Sequence, residues 1–346
     1  MVFTLATWLH DLDPFLWRIT PSFGVRWYGL SYVLSFGLAW LLLSWLARTK
    51  RILLSPEQVT DAMLFLILGV ALGGRLGYIV LYQPALLWEF TSAPPFWGAL
   101  AIHKGGMASH GGMVGVLVAC WLIARRAKAP ALHLADCVAL VAPIGLMLGR
   151  LANFVNGELL GRIVAGPGEA APWWSVRFPQ EFKERMAEGV TPAQVVQREQ
   201  LLGGFARPND TIDMAFDRMM DAVRAENGVL RGQLEQLVNA RHPSQLYQAF
   251  AEGLVVLVVL AFVWRKPRRP GVVAAWFLIV YGVGRIVTEF YRLPDVGVRG
   301  VGPLSRGQSL SAVMVLCGVG LLVWRMKKPA ERIGGLVVHS KAEVSA

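Results

Sequence analysis

Charged residues are scarce in this chain. Asp, Glu, Lys and Arg make up 16% of its 346 residues, whereas hydrophobic residues make up 55%. About a quarter of an ordinary soluble domain is charged, so the composition argues against that class. A bilayer core of roughly 30 Å requires about 20 apolar residues per helix, and runs of that length recur here. The sequence therefore predicts a polytopic membrane protein.

Cysteine is also rare. Cys120, Cys137 and Cys317 lie within apolar runs and share no metal-like spacing. We expect them to be small buried hydrophobic residues. Neither an H-E-x-x-H motif nor an Asp-rich metal box is present, and Asp136 is isolated in its run, so we expect no metal and no cofactor. The first residues lack the basic region of a cleavable signal peptide.

Seven segments have the length and apolar character of transmembrane helices. The expected fold class is an all-α polytopic membrane protein with about seven spans and a partly helical cap outside the membrane. The predicted helices are 28–46, 59–81, 107–124, 133–153, 245–263, 272–291 and 308–324.

Basic residues follow every second predicted helix. The net charge is +11, and its clusters follow the first, third, fifth and seventh helices at 48–51, 125–128, 265–269 and 325–328. The positive-inside rule places these loops in the cytoplasm, with the N-terminus outside and the C-terminus in the cytoplasm. Because topology accounts for the charge, we expect no nucleic-acid partner.

The predicted spans divide the chain into five regions. These are an N-terminal interfacial segment (1–27), helices one to four (28–160), a cap (161–242), helices five to seven (243–326) and a cytoplasmic tail (327–346). The cap is hydrophilic and too long for a bare loop, so we expect it to be partly helical. We expect the tail after Lys328 to be disordered.

Polar side chains interrupt the fourth helix near its outer end. In GRLANFVNGE (149–158), Arg150 and Asn153 share one helical face, Asn156 lies beside them and Glu158 follows. Ionisable residues in membrane helices are costly and usually mark function. A guanidinium with neighbouring amides matches a pair of phosphate oxygens. The alternative is a polar cluster that only locks helices together.

A second polar cluster occurs in YGVGRIVTEFYR, which ends at Arg292. Tyr281, Arg285 and Glu289 fall on one stripe of the sixth helix. Arg285 and Glu289 are four residues apart, so an ion pair within the helix is the simpler interpretation. Two arginines on different helices nevertheless suggest a shared anion, and the anion most available at that depth is a phospholipid head group.

The second and third helices carry less specific signals. Gly69, Gly73 and Gly77 form a small-residue stripe that favours close helix packing, and Arg75 would pair with a carboxylate or with carbonyls at that interface. His110 opens the third helix, directly before two glycines. It is either a proton acceptor in a ligand site or a hydrogen-bonded core residue.

Six segments together resemble the prolipoprotein diacylglyceryl transferase family. They are GRLANFVNGELLGR, HGGMVG, RWYGL, GGRLGY, RHPSQLY and YGVGRIVTEFYR. The resemblance implies an enzyme of the bacterial inner membrane, with its active site toward the periplasmic leaflet. It would move the diacylglyceryl group of phosphatidylglycerol onto the lipobox cysteine of a prolipoprotein, and release glycerol 1-phosphate. Its partners would be that lipid, the precursor protein and the surrounding membrane lipid.

The same resemblance assigns roles to individual residues. It implies a catalytic set of His110, Arg150, Arg285 and Tyr28. It implies a lipid-binding set of Arg150, Asn153, Gly161, Glu158, Tyr281 and Glu289, and we also expect Arg75 of GGRLGY in this set. His110 would either take the thiol proton or orient the head group. The chain departs from the family at Gln248, where RHPSQLY usually continues with Glu, although Glu252 follows one turn later.

Two other classes of protein fit the paired arginines. A transporter of an anionic solute would need a polar path to the cytoplasmic side, whereas the inner helix halves, such as LVVLVVLAFVW, are almost purely apolar. A scaffold would use the clusters only to hold helices together, and would then tolerate lysine in place of Arg150.

Overall fold

The computed structural model describes residues 7–20, 23–92, 94–101, 106–225, 227–293 and 304–337. Five side chains within these ranges lie outside the description, namely those of Thr20, Phe23, Ser109, His110 and Arg306. His103, to which the sequence analysis gave no role, also lies outside the described residues.

Helices dominate the structure, which confirms the all-α polytopic fold. The long helices are α1 (Trp27–Arg48), α2 (Pro56–Tyr82), α3 (Ser109–Ala127) and α4 (Ala131–Asn156), and the cap contains α5 (Gln180–Lys183), α6 (Pro192–Gly203), α7 (Ile212–Arg224) and α8 (Gly228–Leu237). They are followed by α9 (Ser244–Gln248), a π-helical turn (Ala249–Val255), α10 (Val256–Trp264), α11 (Val272–Glu289) and α12 (Arg306–Lys327).

Each predicted span coincides with one of these helices to within a few residues. Among the described residues, six helical segments are long and apolar enough to cross a membrane: α1, α2, α4, the run from Ser244 to Trp264, α11 and α12. The third predicted span is α3, a helix of 19 residues that falls outside this set of six.

Close contact between α2 and α3 depends on the glycine stripe. A Cβ added at Gly115 would lie 1.8 Å from the carbonyl oxygen of Gly69, and one at Gly111 would lie 2.1 Å from that of Gly73. No side chain fits at such distances, so the expected packing role of the α2 glycines is confirmed.

Short strands, which the sequence analysis did not predict, build the cap and the N-terminal segment. The strands are β1 (Trp8–Leu9), β2 (Phe15–Thr20), β3 (Phe23–Arg26), β4 (Ile163–Ala165), β5 (Val176–Arg177) and β6 (Ala240–Arg241). β2 and β3 form an antiparallel pair, and one sheet has the order β1-β5-β6-β4. The N-terminal segment therefore contributes a strand to the cap sheet.

A buried carboxylate organises the cap. Glu181 pairs with Arg198 at 2.7 Å and with Arg241, and the side-chain amide of Asn239 donates to it at 3.1 Å. Glu181 and Arg241 have no solvent exposure. Arg241 also donates to the carbonyl of Gly161 at 3.0 Å, so the charged centre of the cap contacts the loop that follows α4.

The chain forms two compact units. Unit one consists of Met1–Ser35, Ile144–Val256 and Val280–Val315, and unit two consists of Phe36–Pro143, Leu257–Ile279 and Leu316–Ala346. Both are described separately below.

Two expectations within unit two were wrong. The tail is ordered as far as Val337, because the backbones of Ile333 and Arg268 exchange hydrogen bonds of 2.8 and 3.1 Å, and Leu336 donates to Trp264 at 3.0 Å. The last nine residues lie outside the description.

The second expectation was that all three cysteines are buried. Cys317 is exposed on α12, whereas Cys120 and Cys137 are buried as expected.

Candidate functional site

Arg150 of α4 and Arg285 of α11 meet at one carboxylate in unit one. Arg150 Nη2 lies 3.1 Å from Oε2 of Glu252, and Arg285 Nη1 lies 3.4 Å from Oε1 of the same side chain. The two arginine side chains are 17% and 14% exposed, and that of Glu252 is fully buried. The predicted convergence of the two arginines is therefore observed, around an anion that the chain itself supplies.

Glu252 lies in the π-helical turn between α9 and α10. Such turns are rare and are frequently found at functional sites. The hydroxyl of Thr288 donates to Oε1 of Glu252 at 2.8 Å. Gly253 lets α4 approach the turn closely, since a Cβ there would lie 2.5 Å from Cβ of Met147. This close approach brings Arg150 within reach of Glu252.

A second carboxylate extends the cluster along α11. Arg285 Nη2 lies 3.1 Å from Oε2 of Glu289, which confirms the ion pair four residues apart. Arg292 Nη1 lies 3.7 Å from the same oxygen, and the hydroxyl of Ser305 donates to Oε1 at 3.1 Å. Arg285 therefore bridges two carboxylates, which fixes the orientation of its guanidinium.

Two tyrosines lie near Arg150. Tyr281 forms a side-chain hydrogen bond with Arg150 and interacts electrostatically with Glu252 and Arg285. Tyr28 forms an edge-to-face contact with Tyr32, with ring centroids 5.3 Å apart, and is within electrostatic range of Arg150. Both tyrosines thus belong to the surroundings of the arginine pair.

The remaining residues of the α4 motif form a loop at the end of that helix. The backbone carbonyl of Asn153 accepts from the backbone N–H of Glu158 at 3.0 Å, and the Asn156 amide donates to the Glu158 carboxylate at 3.2 Å. Asn153 is buried. The side-chain amide of Gln245 donates to the carbonyl of Glu158 at 2.5 Å, which ties this loop to α9.

Gly161 is the position where this loop contacts its neighbours most closely. A Cβ at Gly161 would lie 2.1 Å from the carbonyl oxygen of His242. The backbone beside it bonds to the end of α11, since Arg162 donates to Tyr291 at 2.9 Å and Leu293 donates to Leu160 at 3.0 Å. The role of Gly161 is therefore close backbone packing beside the arginine cluster.

An aromatic cluster lies next to Gly161. The ring of His242 stacks on Trp174 at 5.1 Å between centroids and contacts the edge of Tyr291 at 5.1 Å. Its Nδ1 lies 3.3 Å from the hydroxyl of Tyr247. Desolvation lowers the pKa of His242, which favours the neutral imidazole at pH 7.

Arg75 and His110 belong to unit two. Arg75 donates to the backbone carbonyls of Gly98, Ala99 and Gly106 at 2.7, 2.8 and 3.0 Å. These contacts match the carbonyl partners that the sequence analysis considered for it. The backbone of His110 lies at the start of α3, and its side chain is not described.

The sequence analysis did not assign Glu252, Thr288 or Ser305 to the site. Glu252 was noted only as a carboxylate one turn beyond Gln248. The sequence could have identified Glu252 as a site residue, because it is the only acidic residue in the run from Ser244 to Trp264. Thr288 and Ser305 gave no comparable signal, since hydroxyl side chains are common in membrane helices.

The charges of this cluster suit a monoanionic ligand. Among the described charged groups that contact one another here, Arg150, Arg285 and Arg292 supply three positive charges, and Glu252 and Glu289 supply two negative charges. One positive charge remains in formal terms. A phosphodiester carries one negative charge and presents two oxygens to an arginine fork.

Comparison with known proteins agrees with the family resemblance of the sequence motifs. Residues 14–324 match the model of a family described as prolipoprotein diacylglyceryl transferase. A phosphatidylglycerol–prolipoprotein diacylglyceryl transferase of Bdellovibrio bacteriovorus is 39% identical over 94% of this chain and 96% of its own length. Proteins of the same name from Psychrobacter arcticus and Chromohalobacter salexigens are 35% and 34% identical, over 91% and 93% of this chain and 94% and 95% of their own lengths. The chain belongs to the prolipoprotein diacylglyceryl transferase family.

Proposed function

We propose that this chain transfers the diacylglyceryl group of phosphatidylglycerol to the lipobox cysteine of a prolipoprotein. The observation that carries the proposal is the convergence of Arg150 and Arg285 on one buried carboxylate. The names of the relatives supply the two substrates. The geometry suggests where the charged part of the lipid binds.

The reaction needs no covalent group on the enzyme. The thiol loses its proton, its sulfur forms a bond to the glyceryl carbon, and the bond from that carbon to the phosphate oxygen breaks. The electron pair of that bond leaves with glycerol 1-phosphate. A free thiol has a pKa near roughly 8.5, so a base must assist. His110 is our candidate for that base, or for a group that orients the lipid.

Arg150 and Arg285 would act on the departing phosphate. A phosphodiester becomes a monoester as the C–O bond breaks, so negative charge grows on the phosphate. Guanidinium groups fixed before the reaction stabilise this growing charge more than the ground state. Glu252 accepts a hydrogen bond from one nitrogen of each arginine. We propose that the phosphodiester takes over part of these contacts.

We also propose the remaining placements. The basic loops would face the cytoplasm, and the end of α4 and the end of α11 would face the periplasmic leaflet of the bacterial inner membrane. Tyr28, Tyr281, Asn153, Glu158 and Gly161 would line or support the lipid site. Glu289 would orient Arg285. Arg75, which was predicted with the lipid-binding set, would hold the backbone at Gly98, Ala99 and Gly106.

A reconstituted assay tests the function. The full chain in phosphatidylglycerol-containing liposomes, without added metal, should convert a lipobox peptide to a product heavier by one diacylglyceryl group and stable as a thioether. The same peptide with serine in place of cysteine should not react. If the serine peptide reacts equally well, the thiol mechanism is wrong. If no lipidated peptide forms while liposomes leak phosphate or sulfate, the transporter interpretation replaces ours.

A further inference from the structure

A basic cavity lies in unit two, at the end of the spans that carries the positive loops. Its volume is about 550 Å³, and α10, α11, α12 and the ordered tail line it. The arginines at its rim are Arg268, Arg269, Arg325 and Arg332. The residues that line it include no Asp or Glu.

Apolar side chains also line this cavity. Val259, Phe262, Trp276 and Leu322 are among them and come from the membrane-spanning parts of α10, α11 and α12. A cavity lined by both cationic and apolar side chains at the end of a span suits a ligand with an anionic head and a hydrocarbon body. Basic pockets between membrane helices bind lipid head groups for this reason.

The arginines of the cavity donate only some of their possible hydrogen bonds to other groups of the protein. Arg269 donates to the carbonyls of Arg325 and Met326 at 3.2 and 2.7 Å, and Arg268 donates to that of Val263 at 2.7 Å. Arg325 is 8% exposed, and its Nε is buried without a hydrogen-bond partner among the described residues. The Arg325 side chain lines the cavity, and a charged donor group at a cavity favours a ligand that accepts hydrogen bonds.

One acidic group interacts electrostatically with Arg325. This group is Asp136, which accepts hydrogen bonds from the backbone N–H groups of Gly271 and Ala274 at 2.7 and 2.8 Å. Its carboxylate is therefore engaged by the first turn of α11. The tail closes one side of the cavity through Arg332, which is exposed.

We propose that this cavity binds the phosphate head group of an anionic phospholipid, at a site separate from the Arg150–Arg285 cluster. Arg325 and Arg332 donate to the phosphate oxygens, and the acyl chains lie against the apolar side chains of α10 and α12. The inference does not depend on the diacylglyceryl transfer reaction.

Native mass spectrometry of the purified full chain tests this proposal. Phosphatidic acid serves as the probe and phosphatidylcholine as the uncharged-head control. The background variant Arg150→Gln is used to weaken binding at the arginine cluster. We expect phosphatidic acid to bind this variant, and Arg332→Gln or Arg325→Gln added to it to weaken binding at least about tenfold. Because Arg325 is buried, the exposed Arg332 provides the variant that should fold.

Arg48→Gln is the matched control, since Arg48 is an exposed arginine at the end of α1 and does not line the cavity. It should leave binding unchanged. Equal weakening by Arg48→Gln, or equal binding of phosphatidylcholine, would overturn the proposal. Displacement of phosphatidic acid by millimolar glycerol 3-phosphate would also overturn it, because the cavity would then recognise a soluble phosphate ester without its lipid chains.

Discussion

Arg150 and Arg285 share the two oxygens of one carboxylate, at 3.1 and 3.4 Å, although they lie on different helices. Two guanidinium groups held this close repel each other unless an anion lies between them. Glu252 supplies that anion. It therefore offsets the repulsion between the two arginines and holds their side chains together.

Replacing Arg150 by lysine tests whether the arginine fork is needed. Lysine keeps the positive charge and loses the planar pair of donors. We expect Arg150→Lys to lower kcat by about 10²–10³, the effect of removing one preorganised donor in other enzymes. Peptide lipidation in liposomes measures it. Arg126→Lys, at an exposed arginine of α3, should change the rate less than about twofold. Near-normal activity of Arg150→Lys would show that charge alone suffices.

Removing the shared carboxylate should destabilise the chain. Glu252→Gln keeps the side-chain shape and leaves two partly buried arginines without this counter-charge. Breaking a fully buried pair costs about 3–5 kcal/mol, which is the upper end of the loss that we expect. Adding Arg150→Gln should cost less than the sum of the two single changes, because both remove the same pair. Denaturation in mixed micelles measures both. The exposed carboxylate of Glu158 provides the control Glu158→Gln. Additive effects would show that the pair contributes nothing beyond its members.

The sequence predicted the arginine pair but not its shared partner. The helical repeat places Arg150 beside Asn153 and Arg285 beside Glu289, and these spacings hold in α4 and α11. Glu252 was missed because the approach of α4 to a π-helical turn is a tertiary feature, which depends on Gly253 fitting against Met147.

The cap sheet could not be predicted for a different reason. β1, β5 and β6 contain two residues each, too few for the alternation that indicates a strand. Their pairing joins segments far apart in sequence, so no local pattern reports it. The glycine stripe of α2, in contrast, is a local pattern that indicates close helix packing, and that prediction is confirmed.

The α2–α3 interface offers a matched pair of glycine substitutions. Gly115→Ala would place a methyl group 1.8 Å from the carbonyl oxygen of Gly69, whereas the first contact at Gly112 is 3.8 Å away. We expect Gly115→Ala to lower the thermal midpoint in detergent by several degrees, as overpacking costs about 1–3 kcal/mol. Gly112→Ala should leave the midpoint almost unchanged. Equal midpoints for the two variants would contradict the close helix contact.

His10 should make stability depend on pH. Its Nε2 lies 2.7 Å from the carbonyl oxygen of Phe154 and its Nδ1 lies 3.2 Å from the Gln180 amide, so Nε2 donates and Nδ1 accepts. Burial lowers the pKa of His10 from 6.5 to about 4. The unfolded chain therefore takes up the proton first. Stability from the neutral imidazole is complete above about pH 6.5 and is lost as the pH falls toward 4, by up to about 3 kcal/mol.

Unfolding midpoints between pH 7 and 4 measure this loss. The variant His10→Gln cannot ionise, so its stability should be lower at pH 7 and should fall less steeply with acid. His242→Gln is the control, since His242 is only partly buried and should leave most of the slope in place. An unchanged slope in His10→Gln would assign the acid sensitivity to other groups.

Gly161 and Gly149 provide a test of the loop beside the arginine cluster. A methyl group at Gly161 would lie 2.1 Å from the carbonyl oxygen of His242, whereas a Cβ at Gly149 meets no atom within 4 Å. Gly161→Ala must therefore move the loop or His242, and we expect this shift to disturb the backbone hydrogen bonds between the loop and the end of α11. We expect a loss of lipidation of at least about tenfold, since small misplacements near a reacting group have that effect. Gly149→Ala should retain activity, and its helix should gain slightly in stability. If both variants lipidate the peptide at the wild-type rate, the packing of Gly161 does not position the site.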